Sequence, residues 1–71
     1  MLYVLKIKGT KTIPDFVQIR DEQMTLRAYF RLSQQEVGLK KNDLVAEAKG
    51  IMTLLESIPY GKIHKYYSNN E

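Results

Sequence analysis

The sequence predicts a small α+β domain in which a three-stranded antiparallel meander lies against one main helix. Three observations lead there. Apolar and polar side chains alternate with period two across residues 1–32; apolar residues recur at helical spacing across 43–58; turn-forming residues fall between these runs. At 71 residues the chain reads as one domain, 1–71, with residues 68–71 expected to fray.

The first strand is expected at about 2–8. Tyr3, Leu5 and Ile7 are read as its core face, and Leu2, Val4, Lys6 and Lys8 as the other. Gly9 to Thr12 forms a turn, and Pro14 delays the second strand to about 15–20, where Val17 and Ile19 alternate with Phe16, Gln18 and Arg20. The third strand, about 24–32, has the clearest alternation. Met24, Leu26, Ala28, Phe30 and Leu32 oppose Thr25, Arg27, Tyr29 and Arg31.

Ser33 and Glu36 have the spacing of a capping box, so a short helical turn is expected at 33–38, ended or bent by Gly38. Asn42-Asp43 looks like the start of the main helix, about 43–58, with a stripe of Leu44, Ala48, Ile51 and Leu55 and a stop at Pro59. Residues 61–67 are read as an extended segment or coil.

A chain this short buries only about 60% of its unfolded surface. It contains no cysteine and a single histidine, His64, so disulfides, thiolate metal sites and multi-histidine sites are excluded. No cofactor is expected. Self-association is the remaining common source of stability. Ala46, Gly50 and Leu54 form a small-residue groove beside Ile58, so Gly50, Leu54 and Ile58 are the expected homodimer contacts, although an exposed glycine can also simply be tolerated. The apolar runs are too short to cross a bilayer, and the start does not read as an export signal. A cytoplasmic location is the expectation.

The net charge of +3 is concentrated in residues 1–32. By alternation, one sheet face would carry Lys6, Lys8, Arg20, Arg27, Tyr29 and Arg31, with Gln18 and Thr25 among them and Phe16 at one end. Cations neutralise phosphates, and an aromatic ring or guanidinium plane stacks on a base. DNA or RNA is therefore the first expected partner, bound without catalysis. The same pattern also suits a solvated face protected from edge pairing. The alternative function is a protein–protein interaction module, a small regulator or inhibitor acting through the exposed sheet face or the helix. A third reading is a small ribonuclease: His64 lies among Lys62, Lys65, Tyr66 and Tyr67, but no nearby carboxylate orients it.

Arg27, Tyr29 and Arg31 on one strand, followed by Lys41-Asn42-Asp43-Leu44-Val45, resemble the ribbon-helix-helix DNA-binding proteins. In that family a strand from each subunit enters the major groove, and the second helix begins at a small polar cap. The chain departs from the pattern between these segments. Ser33 to Leu39 offers only about two turns where the family has a full helix, and two further strands precede the ribbon.

Overall fold

The computed structural model describes residues 1–67, and their strands form one antiparallel sheet in the order β3-β2-β1-β4. The strands are β1 (Leu2–Ile7), β2 (Phe16–Arg20), β3 (Leu26–Arg31) and β4 (Ile63–Tyr66). Two helices cover one face: α1 (Gln35–Lys41), entered through a 3₁₀ turn at Leu32–Gln34, and α2 (Ala48–Ser57). The α+β class holds. The three-stranded meander gains a fourth strand, because residues 63–66 pair with β1, and the main helix gains a companion. The tail at 68–71 lies outside the described residues.

β1 faces the opposite way from the sequence expectation. Val4 pairs with Ile19 and Lys6 with Val17, so Leu2, Val4 and Lys6 point to the helices, while Tyr3, Leu5 and Ile7 lie on the uncovered face. Both sides of this strand carry apolar residues, so alternation could not choose between them. Lys6 is 8% exposed. Its ammonium donates to the Leu55 carbonyl at 2.8 Å. That carbonyl lies in the last turn of α2, where helices lack internal partners and their dipole attracts positive charge.

The hairpin from β2 to β3 closes without glycine. Asp21 Oδ1 accepts from the backbone N–H groups of Gln23 and Thr25, while Met24 takes a left-handed φ of 65°. Met24 and Thr25 are thereby consumed by the turn, and β3 begins at Leu26. A β-bulge follows: Ile19 opposes Ala28 but Arg20 opposes Leu26, leaving Arg27 as the extra residue. Leu26, expected in the core, is consequently exposed.

The proposed capping box does not form, since no side chain caps the start of α1. Asn42-Asp43 ends α1 rather than starting the main helix. Asp43 has φ 59°, and Leu44 N–H donates to the Leu39 carbonyl at 2.9 Å, the six-to-one bond of a Schellman motif between two buried leucines. Asn42 Nδ2 also donates to the Gly38 carbonyl at 2.7 Å. The main helix therefore starts at Ala48 instead of about residue 43. Nor does Gly38 stop α1. It lets the helix lie directly on Phe30, whose ring occupies the space a Cβ would need.

Val4, Val17, Ile19, Ala28 and Phe30 of the sheet meet Leu39, Leu44, Ile51, Leu55 and Ile58 in one core. Tyr66 packs against this core, with its hydroxyl in the space a side chain at Gly50 would fill. The small-residue groove is thus occupied from within the chain. Ile58 is buried in the core and Leu54 packs against it, so these three residues do not form the open intermolecular surface expected from the sequence. The ribbon-helix-helix resemblance also ends here, because β3 pairs with β2 of its own chain.

Gly38→Ala is expected to lower stability by about 1–3 kcal/mol in urea unfolding, the usual range for overpacking a filled site. Gly50→Ala should cost less, because the obstructing atom is the tip of a side chain, and Tyr66→Phe should recover part of that loss. A Gly38→Ala chain as stable as the parent would contradict the close helix–sheet approach.

Candidate nucleic-acid interface

The uncovered face is organised by strand register into three rows. Arg31, Phe16 and Ile7 make the first; Tyr29, Gln18, Leu5 and Ile63 the second; Leu26, Arg20, Tyr3 and Lys65 the third. Arg31 ends the first row, Arg20 and Lys65 flank Tyr3 in the third, and the second row carries no cation. Among the described residues, no strand carboxylate belongs to this face. Phe16 and Tyr29 stack with ring centroids 4.8 Å apart and planes 5° from parallel. Such a pair contributes roughly 0.5–1.5 kcal/mol beyond its burial. Tyr29 remains 52% exposed, so it presents an aromatic surface to solvent. Arg20 is anchored by its Nη1, which donates to the Met24 carbonyl at 2.9 Å and leaves further guanidinium donors for a ligand.

Of the six residues expected to bind nucleic acid, Arg20, Tyr29 and Arg31 share this face. Lys6 does not, for the reason given above. Lys8 lies beyond the end of β1, with its ammonium 5.0 Å from the centre of the Tyr60 ring. Arg27, displaced by the bulge, lines a cleft on the helix side with Leu2, Leu44, Glu47 and Tyr66, together with Asp21 and Glu22. Sequence reasoning missed Tyr3 and Lys65. The alternation of Ile63, His64, Lys65 and Tyr66 was the available signal for Lys65, but four residues beside a proline-glycine turn are a short strand.

The cluster around His64 is divided between two faces. His64 lies opposite Val4 on the helix side, with Nε2 buried and without a hydrogen-bond partner, whereas Lys65 lies opposite Tyr3 on the uncovered face. Among the described residues, no group of three or more His, Cys, Asp or Glu side chains is placed to hold a metal ion. None of their helices is long and apolar enough to cross a membrane.

Near the end of β1, Tyr60 joins three segments. Its hydroxyl donates to Asp15 Oδ2 at 2.7 Å, Gly9 N–H donates to Asp15 Oδ1 at 2.7 Å, and the Lys6 ammonium lies 4.6 Å from the ring centre. The Tyr60 hydroxyl, followed by the Gly9 amide, holds the Asp15 carboxyl below its ordinary value of 3.8. The same bond raises Tyr60 above its ordinary 10.0. Lys6 and Lys8 thus belong to the scaffold.

No family model matches the chain, and no curated protein or solved structure matches it either.

Two outcomes test this division of the cations. Lys6→Met should lower stability by about 1–3 kcal/mol, because it leaves the Leu55 carbonyl without its partner, yet leave polyanion affinity unchanged; an equal loss of binding from Lys6→Met and Arg31→Ala would contradict the assignment. The Asp15–Tyr60 bond should contribute stability fully above pH 3.8, where an unfolded Asp15 is ionised, and lose it as pH falls through the depressed folded value. For Tyr60 the contribution is full below pH 10.0 and is lost as pH rises through the raised folded value. Tyr60→Phe should flatten both limbs of the thermal-midpoint profile.

Proposed function

We propose that this chain is a non-enzymatic domain that binds single-stranded nucleic acid on the open face of its sheet. The observation that supports it is the composition of that face: Tyr3, Phe16 and Tyr29 among Arg20, Arg31 and Lys65, with no strand carboxylate among the described residues. Rings stack on bases of any sequence, and the surrounding cations neutralise the backbone. A single strand suits this surface better than a duplex, because stacking on Tyr29 requires an unpaired, accessible base. The proposal retains the cytoplasmic location expected of a cysteine-free chain. Leu5, Ile7 and Ile63 between the aromatic residues favour a second reading, in which the face docks on a protein or on a second copy of the chain.

Titration of fluorescent single-stranded oligonucleotides across a salt series tests the first reading. Three phosphate contacts should give a log–log salt slope of at least about −2, and Arg31→Ala should reduce its magnitude by about 0.7. Tyr29→Ala should weaken binding by about 1–3 kcal/mol, while Tyr29→Phe retains most of the affinity. Absence of binding at low salt, or equal affinity for duplex and single strand, would reject the proposal. Light scattering that reports a dimer, or nuclease-resistant capture of one protein, would favour the second reading.

A further inference from the structure

We propose that the groove between the free edge of β3 and α1 is a nucleotide subsite that selects adenine. This rests on the open face as the platform for the neighbouring nucleotides. The groove has a volume of about 290 Å³ and is lined by Tyr29, Arg31, Gln34, Val37, Lys41 and Asn42 among others, none of them acidic. That volume lies near the lower end for small-ligand sites, which begin at about 300 Å³. Three of its lining residues, Phe16, Tyr29 and Arg31, also belong to the open face, so a strand lying on the sheet enters the groove without leaving its cations.

Each part of a nucleotide finds a complementary group there. Tyr29 and the 54%-exposed Val37 supply apolar walls for a base. Arg31 and Lys41 supply positive charge for its phosphate. The Gln34 amide offers a donor and an acceptor, the pair that matches the acceptor N7 and the amino group N6 of adenine. Asn42, which lines the same groove, uses its Nδ2 on the Gly38 carbonyl, which leaves Oδ1 as a further acceptor. The mixed cleft around Arg27, by contrast, also contains Asp21, Glu22 and Glu47 and would repel a phosphate. The open face provides sequence-tolerant stacking, and the groove adds the choice of base.

The test uses the isotope-labelled full chain and AMP, followed by oligoadenylate and oligouridylate binding to the parent, Gln34→Leu and Lys41→Gln. Both substitutions are at exposed positions, and thermal melts confirm folding. AMP should shift the resonances of Gln34, Val37 and Lys41. Oligoadenylate should bind about tenfold more tightly than oligouridylate, the scale of one amide–base pair, and Gln34→Leu should abolish that preference while oligouridylate affinity persists. Equal affinities for the two oligonucleotides, or a preference that survives both substitutions, overturns the subsite and leaves the sheet reading intact. If no oligonucleotide binds, the sheet reading fails, and AMP shifts confined to the groove then decide the subsite independently. Shifts caused by an acidic hexapeptide but not by AMP overturn it in favour of a peptide groove.

Discussion

The Lys6 ammonium sits in the layer between sheet and helices, bonded to the Leu55 carbonyl and close to the Tyr60 ring. A charge in that position is tolerated because the end of α2 offers an unpaired carbonyl and the negative end of a helix dipole. The consequence reaches across the fold. With Lys6 turned inward, Val4 and Leu2 must also face the helices, and Tyr3, Leu5 and Ile7 must face outward. β1 is a central strand, so its facing determines the middle of both sheet surfaces.

Two close approaches then hold the helices against that layer. Gly38 lets α1 rest on Phe30, and Gly50 lets α2 receive the Tyr66 hydroxyl. A glycine inside a helix costs close to 1 kcal/mol relative to alanine, and here the contact offsets that cost. Tyr66 therefore links β4 to α2, while β4 brings Lys65 to the open face. The packing of the covered side and the composition of the uncovered side are one arrangement.

Charge is sorted by the same geometry. Asp15 is committed to Gly9 and Tyr60, and Glu22 is bonded to the N-terminal ammonium at 3.1 Å. The bulge at Arg27 moves that cation beside the acidic turn. Arg20, Arg31 and Lys65 remain among aromatic side chains. This separation matters more to the proposed binding than the overall charge of +3, because an anionic ligand experiences the local face.

The sequence by itself determined the α+β class, the facing of β2 and most of β3, and the apolar stripe of the main helix. In these segments one periodicity excludes its alternatives: a slip at Ala28 and Phe30 would bury Tyr29 and Arg31. It also placed Arg20, Tyr29 and Arg31 together, since the β2–β3 hairpin is local. Tertiary structure decided the facing of β1, where both sides are apolar and the Leu55 carbonyl that partners Lys6 lies 49 residues away. It decided the role of Asn42-Asp43, because a polar pair between apolar runs suits either helix terminus until Leu39 and Leu44 are both buried. It decided Arg27, which a single bulge removed from its row, and Lys65, whose short strand exists only because β1 supplies an edge. Alternation is local information, whereas the pairing of strands distant in sequence depends on the whole chain.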